Sequence, residues 1–279
     1  MSFSKTSTMV VSGPEAIAQG FPLCLKNWRR IKKMSQLELA LLADVSQRHI
    51  SWLETGRSQP SREMVLKLAD ALGVSMRETN AMLNSAGFTA VFSEMDLDHP
   101  EMSDVRNILE EIIAHHAPYP AFVLDRHWNL LMQNKSGQMI FEMLGQGKDI
   151  WQEVDDAERK NFARLFVHPK GIRCFVHNWD KVVGPFARRL YREIMEHNDA
   201  EGELLLEDLT EFIDTSSEPA AQDLLPTLPL EILVGEQILR LSSVISTFGT
   251  AQDITAQELR VETFYPMDQE TAKFFQHWT

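Results

Sequence analysis

The strongest constraint on the fold is a series of helix start and stop signals between Leu23 and Gly87. Apolar residues recur there three or four positions apart, as the buried face of an α-helix requires. Gly56 and Gly73 stand where a helix can end in the left-handed conformation. Four serines stand where each can cap a following helix: Ser35, Ser46, Ser61 and Ser75. The pattern predicts five short helices that form an all-α domain over residues 21–87.

Charge is distributed unevenly along the chain. The whole sequence has a net charge of −13, yet residues 23–80 contain ten Lys and Arg against six Asp and Glu. Residues 81–279 contain sixteen Lys and Arg against thirty-three Asp and Glu. A small basic part joined to a large acidic part is a pattern that favours a nucleic-acid-binding segment in the basic part.

The rest of the chain mixes helices with strands. Glu101–His115 has the spacing of an amphipathic helix, and short apolar or alternating segments predict five strands. We expect these strands at Ala121–Asp125, Trp128–Asn134, Leu230–Val234, Ile238–Phe248 and Leu259–Tyr265. This order favours a five-stranded antiparallel sheet with helices on one side, so the predicted fold class of the whole chain is α+β.

The segment Ser35–Ser61 resembles the helix-turn-helix of phage-repressor-like bacterial regulators. The residues that carry the resemblance are Gln36, Ala40, Val45, Ile50, Leu53, Glu54, Gly56 and Pro60. Such a motif places its second helix in the major groove of DNA. On that helix the positions around buried Ile50 and Leu53 that can contact bases are Gln47, Arg48, His49, Ser51 and Trp52. Gln36 and Arg57 are placed to contact phosphates, which fixes register without reading sequence.

Two alternatives stay open for this segment. Trp52 occupies a position that reads bases in related repressors, and it can either touch a thymine methyl group or pack on its own domain. A helical domain of this kind can also serve only to pair proteins.

The resemblance extends to the MmyB-like family of bacterial transcription regulators and covers Leu23–Tyr265. The segments that carry it are Ala86–Phe88 (AGF), His99–Met102 (HPEM), Pro118–Asn134 (PYPAFVLDRHWNLLMQN), Val244–Thr250 (VISTFGT) and Glu258–Pro266 (ELRVETFYP). The resemblance implies a repressor-like helix-turn-helix followed by a PAS-like ligand-binding domain, and a fatty-acid-like ligand. The expected organisation is a flexible arm over 1–20, the DNA-binding domain over 21–87, a junction over 88–100 and the ligand-binding domain over 101–279.

Apolar residues on the predicted strands are candidates to line a ligand cavity. They are Phe122 and Leu124 on one strand, Trp128, Leu130 and Met132 on one face of its neighbour, and Leu241 and Ile245 on a later strand. An apolar stripe of this kind is also what a plain core requires. A carboxylate head group would need a cation, and the candidates are Arg126, His127 and Arg240.

Other classes of function receive little support from the sequence. It contains no catalytic motif, so no catalytic residue and no enzyme activity are expected. No metal is expected either, because His168, Cys174 and His177 do not have the spacing of a standard site. No apolar run approaches the ~18–20 residues of a membrane span. The first residues lack a secretory signal, and the two cysteines form no CxxC pair, which favours a cytoplasmic protein.

These observations lead to the hypothesis of a cytoplasmic, homodimeric, ligand-responsive transcription regulator. Its partners are double-stranded DNA and a small apolar ligand, with no membrane and no required cofactor beyond a possible bound fatty acid or similar lipid. The main alternative is a DNA-binding protein whose second domain serves only for dimerisation or partner docking. A third is a fused enzyme that regulates its own gene.

Overall fold

The computed structural model describes residues 20–154, 160–197, 200–213 and 227–276. The flexible arm expected over 1–20 lies outside the described residues, except for Gly20. The chain divides into two compact units. The amino-terminal unit contains the described residues up to Glu94 together with Gln252–Ile254, and the carboxy-terminal unit contains Met95–Ala251 and the residues from Thr255 onward.

Residues 20–94, the part of the amino-terminal unit that the structure describes before Gln252, contain the five predicted helices. They are α1 (Phe21–Ile31), α2 (Gln36–Leu42), α3 (Gln47–Glu54), α4 (Arg62–Leu72) and α5 (Met76–Ser85). The four predicted serine caps are confirmed, because each hydroxyl accepts the backbone N–H three residues later, and those before α2 and α5 form complete capping boxes. Gly73 ends α4 with φ 57°, in the left-handed conformation expected from the sequence.

The core of this unit fixes the crossing of α2 and α3. Ala40 on α2 is 1% exposed, and its small side chain lets the two helices approach closely. Ile50 and Leu53 on α3 are fully buried and belong to the same core as Leu25 of α1 and Leu68 of α4. Because these two residues fill the inner face of α3, the other side of that helix is turned away from the core.

The carboxy-terminal unit contains the predicted five-stranded antiparallel sheet, with the strand order β2-β1-β5-β4-β3. Its strands are β1 (Ala121–Leu124), β2 (Leu130–Gln133), β3 (Leu230–Val234), β4 (Gln237–Ser246) and β5 (Arg260–Pro266). Its helices are α6 (Ser103–His115), α7 (Lys135–Gly145), α8 (Phe162–Val167), α9 (Trp179–His197), α10 (Ala200–Thr210), α11 (Ile254–Glu258, which begins in the other unit) and α12 (Gln269–Gln276).

Helices cover both faces of the sheet, so the expectation of helices on one side was wrong. On one face Phe122 of β1 and Leu241 of β4 belong to a large core that also contains residues of α7, α8, α9 and α10. On the other face Val123 and Val261 pack with Leu109 of α6 in a smaller core. The sequence missed this arrangement because the charged residues of β5 read as a solvent-facing row, and alternation of that kind ordinarily marks a sheet with one wet face.

Candidate DNA interface and ligand cavity

The outer side of α3 presents polar side chains. Gln47 and Arg48 are exposed, and His49 and Ser51 are partly exposed. The Arg48 guanidinium carbon lies 4.4 Å from the centroid of the Trp52 ring, and Trp52 itself is 36% exposed. The predicted base-contacting residues therefore share one accessible surface. Its centre is an arginine stacked on an indole, an arrangement that holds a guanidinium in place.

A buried ion pair fixes α3 to the helices before it. Arg29 Nε donates to Glu54 Oε1 at 2.5 Å, and Arg29 Nη2 donates to Glu54 Oε2 at 3.0 Å. Gln36 Nε2 donates to the same Glu54 Oε2 at 2.8 Å, and Arg29 Nη1 donates to the carbonyl of Met34 at 2.7 Å. The Glu54 side chain is 3% exposed. These contacts join α1, α2 and the end of α3 through one carboxylate.

The hydrogen bonds of this ion pair set the protonation of Glu54. Burial alone would raise the pKa of its carboxyl, but hydrogen bonds from Arg29 and Gln36, together with the charges of Arg29 and Lys26, hold that pKa below the ordinary value. Gln36, one of the two predicted phosphate contacts, thus has its amide nitrogen engaged inside the unit. The other, Arg57, is exposed just beyond the end of α3.

A cavity of about 230 Å³ lies between one face of the sheet and the helices that cover it. Its walls are predominantly apolar. The lining residues are Pro120, Phe122, Trp128, Ile140, Phe141, Leu144, Phe162, Phe166, Ile172, Val182, Pro185, Phe186, Arg189, Leu228, Leu230, Ile232, Leu241, Ser243, Glu262 and Phe264. The aromatic rings make edge and tilted contacts with one another, as in the pair of Phe166 and Phe186 with centroids 4.5 Å apart.

The structure brings some of the predicted cavity residues together and separates others. Phe122, Trp128 and Leu241 line the cavity. Leu124 and Leu130 pack in the same core but stand outside the lining. Met132 packs on the opposite face of the sheet, with α6, and Ile245 is 38% exposed near the end of β4.

Trp128 differs from its predicted place because it precedes β2 and does not belong to it. Its φ is 70°, a left-handed conformation that is rare for a bulky residue. The Asp125 carboxylate holds the turn, since its Oδ1 accepts the backbone N–H groups of His127 at 2.8 Å and Asn129 at 2.9 Å. The Trp128 carbonyl then accepts the backbone N–H of Phe162 at 2.8 Å. The turn places the indole in the cavity wall, with the ring 1% exposed.

The three cations predicted for a head group lie away from the cavity lining. Arg126 Nη1 is 3.5 Å from Glu258 Oε1, and His127 Nδ1 is 3.5 Å from Glu201 Oε2. Arg240 pairs with Glu231 at 3.0 Å on the outside of β4. The turn before β2 explains the first two, because it points Trp128 inward and its neighbours elsewhere.

Sequence reasoning missed the polar residues that do line the cavity. Arg189 of α9 has its guanidinium carbon 4.5 Å from the Trp128 ring centroid, and its Nη1 is 3.6 Å from Glu262 Oε1. Arg189 Nε also donates to Glu193 Oε1 at 2.9 Å. The third polar residue is Ser243 of β4. A local signal existed only for Arg189 and Glu193, whose spacing of four on a helix is typical of an ion pair.

Glu262 is the most buried of these polar groups. It is 5% exposed in a lining that is otherwise mostly hydrocarbon. Burial raises the pKa of its carboxyl, against the opposing charge of Arg189 and a hydrogen bond with Ser243. In the described part of the chain, Glu262 Oε2 and Trp128 Nε1 are both buried without a hydrogen-bond partner. Such unsatisfied buried atoms are few in native proteins, so their presence on the same cavity calls for a functional explanation.

Two further features concern the described ranges 20–154, 160–197, 200–213 and 227–276. No helix within them is long and apolar enough to cross a membrane. No group of three or more His, Cys, Asp or Glu side chains within them is placed to hold a metal ion.

Comparisons with known protein families agree with the division of the chain. Residues 105–277, more than half of the chain, match the family model described as the MmyB-like transcription regulator ligand binding domain. Residues 25–78 match the helix-turn-helix model. No curated protein matches the chain. The first match contains the cavity and the second contains α2 and α3 with the turn between them.

Proposed function

We propose a specific function for this chain, which belongs to the MmyB-like transcription regulators and is a ligand-responsive regulator with a DNA-binding helix-turn-helix. The protein is a cytoplasmic homodimer that binds double-stranded DNA through α3. A small fatty-acid-like molecule, an alkyl chain with one polar end, binds in the cavity of its PAS-like second domain and alters the affinity for DNA.

The cavity is the observation that carries the proposal. Benzene, with six carbon atoms, fills an engineered apolar cavity of ~150 Å³, so at that ratio the volume of about 230 Å³ accommodates roughly nine non-hydrogen atoms. Burying six methylene groups at ~0.8 kcal/mol each contributes about 5 kcal/mol before the costs of binding, so a medium-length chain fits this site.

The DNA-binding half of the proposal rests on the outer side of α3. Gln47 and Arg48 are exposed there, and the major groove is wide enough to admit a helix. The modest excess of positive charge in this part means that one copy contacts few phosphates, so a single copy binds weakly. Two copies related by a two-fold axis would contact half-sites ~34 Å apart, and for this reason we propose a dimer.

Ligand can change DNA affinity only if it binds two arrangements of the protein with different affinities. A complete shift of such an equilibrium, from 1:99 to 99:1, requires ~5.5 kcal/mol of differential binding. The gross burial in the cavity is of that order. We therefore expect a partial and graded response to a medium-chain ligand.

The test begins with organic extraction of the purified full chain and mass spectrometry of the extract, followed by selection of a bound sequence from random duplex DNA. Affinity for that sequence is then measured with and without octanoic acid, octanamide and octan-1-ol. We expect at least one of these to change the affinity by about tenfold, which is ~1.4 kcal/mol.

A pair of variants on β4 separates the sensor from a docking module. Leu241→Phe fills the cavity, whereas Val244→Phe adds the same ring to a residue that is 48% exposed, opposite Thr263 in the register. The first should abolish the ligand response while DNA binding remains, and the second should leave the response intact. An intact response in Leu241→Phe, or no response to any ligand in the wild type, would favour the docking module.

A further inference from the structure

The polar residues of the cavity lie together at one part of its wall. Arg189 connects them, because its guanidinium lies over the Trp128 ring and its Nη1 lies 3.6 Å from Glu262 Oε1. Ser243 lines the cavity from β4, the strand next to that of Glu262. We define Trp128, Arg189, Ser243 and Glu262 as the polar wall. The other lining residues among those that the structure describes are apolar, so of these side chains the polar wall alone can hydrogen-bond to the polar end of a ligand.

The charges of the polar wall and of the side chains that pair with it are already balanced. Arg189 pairs with Glu193 at 2.9 Å and faces Glu262, while Arg260 pairs with the other oxygen of Glu193. When Glu262 is ionised, this group contains two arginines and two glutamates, and its charges cancel. A carboxylate arriving from a ligand would add a third negative charge, and it would lie beside a buried glutamate. Like charges in a buried site raise the cost of ionisation for both groups, so this arrangement disfavours an anionic ligand.

Two atoms of the polar wall have unused hydrogen-bonding capacity. Trp128 Nε1 is a donor without a partner, and Glu262 Oε2 is an acceptor when the carboxyl is ionised and can carry the proton when it is not. A group that both donates and accepts can satisfy the two atoms in either protonation state of Glu262. Primary amides and hydroxyls are such groups, whereas a carboxylate can only accept.

We propose that the polar wall selects a medium-chain ligand whose head group is uncharged and both donates and accepts hydrogen bonds, such as a primary amide or an alcohol, over a free carboxylate. This inference rests on the proposed function, because it requires that the cavity binds a ligand. It makes Trp128 and Glu262 the residues that determine the class of head group.

The proposal predicts how affinity varies with pH. The charged groups that face Glu262 among the described residues are Arg189 and Glu193 of α9, with Arg260 of its own strand beyond them. Burial raises the pKa of Glu262, and a bound carboxylate would raise it further. At a pH where Glu262 is ionised, binding of octanoate therefore favours uptake of a proton by this carboxyl, and the affinity for octanoate should decrease as pH rises. Octanamide carries no charge, and its affinity should stay constant over the same range.

Calorimetric titration of the full chain with octanamide, octan-1-ol and octanoate at about pH 5.5 and about pH 8 tests this. At the higher pH we expect octanamide to bind at least about tenfold more tightly than octanoate. Octanoate binding as tight as octanamide at that pH would overturn the inference while leaving the proposed function standing. Failure of all three probes to bind would overturn both.

Two substitutions assign the selectivity to the polar wall. Glu262→Gln should increase the affinity for octanoate at about pH 8 by about tenfold and reduce its pH dependence, because the added charge no longer meets a carboxylate. Trp128→Phe should decrease the affinity for octanamide by about three- to tenfold, the usual effect of losing one hydrogen bond. Trp151→Phe, a buried tryptophan outside the cavity lining, is the matched control and should have no such effect. Unchanged octanoate affinity in Glu262→Gln would also overturn the inference.

Discussion

Each unit of the protein buries a glutamate, and the two carboxyls have opposite surroundings. In the amino-terminal unit both oxygens of Glu54 accept hydrogen bonds, from Arg29 and Gln36, and its pKa is lowered. In the carboxy-terminal unit Glu262 has an oxygen without a partner, and burial raises its pKa. A satisfied carboxylate holds helices together, whereas an unsatisfied one beside a cavity remains available to a ligand. The difference separates a structural charge from a functional one within the same chain.

The largest effect should come from breaking the satisfied pair. Arg29→Met leaves the Glu54 carboxylate buried without its charged partner, so the free energy of unfolding of the amino-terminal unit should decrease by about 3–5 kcal/mol. Denaturant unfolding followed by hydrogen exchange in residues 20–94 measures this loss.

Lys67→Met is the matched control for that substitution. It breaks a pair of 3.5 Å with Asp44, whose side chain is 96% exposed, and the expected loss is below about 0.5 kcal/mol. Equal losses in the two variants would show that burial adds nothing to the Arg29–Glu54 pair.

A smaller effect should distinguish the inward-facing charges of the amino-terminal unit from its outward-facing ones. Arg48→Ala removes an exposed guanidinium that stacks on Trp52 and should leave the stability of the unit almost unchanged. Affinity for the selected duplex should fall by about 1–3 kcal/mol at constant salt. Arg188→Ala removes the same charge from an exposed position on α9 and serves as the control in fluorescence anisotropy. Equal decreases in both variants would mean that net charge alone determines binding.

The smallest effect should have the opposite sign to the first. Glu262→Gln removes a buried charge that has incomplete compensation, so at neutral pH the free energy of unfolding of the carboxy-terminal unit should increase by about 1 kcal/mol. Because the folded pKa of Glu262 is raised, the native state of the wild type holds its proton more tightly than the unfolded chain does. The contribution of Glu262 to the stability of the wild type is therefore fully present below the ordinary glutamate pKa and decreases as pH rises through the raised value.

Glu54 should give the reverse dependence on pH. Its folded pKa is lowered, so its contribution is present above the ordinary glutamate pKa and is lost as pH falls through the lowered value. Hydrogen exchange measured between about pH 3 and about pH 8 can resolve the opposite dependence of stability on pH in the two units. Glu262→Gln should remove only the dependence of the carboxy-terminal unit. Parallel slopes in the two units would contradict the comparison.

The amino-terminal unit was predictable because its determinants are local in sequence. Each capping serine acts three residues away, and the spacing of Ile50 and Leu53 identifies the buried side of α3 without knowledge of the rest of the chain. The strands of the second unit were predictable from alternation and turn residues for the same reason. What the pattern could not show was that α9 covers the charged row of β5, where Arg189 and Glu193 face Glu262 and Arg260, because a strand with alternating charged residues reads as half exposed.

The polar wall of the cavity could not be predicted because it depends on contacts between distant residues. Arg189 and Glu262 are on different elements, and only the packing of α9 on the sheet brings them within 3.6 Å. The choice of Arg126 and His127 assumed that a cation next to a predicted cavity residue points into the same space. The left-handed backbone of Trp128 instead points the indole into the cavity wall and the side chains of Arg126 and His127 elsewhere. This conformation could not be predicted from local residue preferences, because a tryptophan rarely adopts it.

The turn around Trp128 also connects the wall of the cavity to α8. The Asp125 carboxylate and the hydrogen bond from Phe162 hold the backbone on both sides of the indole. A change in the backbone of this turn would therefore be carried to the first turn of α8 through Phe162 and through Asn161, whose Nδ2 donates to the His127 carbonyl at 2.8 Å. A short series of hydrogen bonds thus connects the turn that holds the indole to a helix.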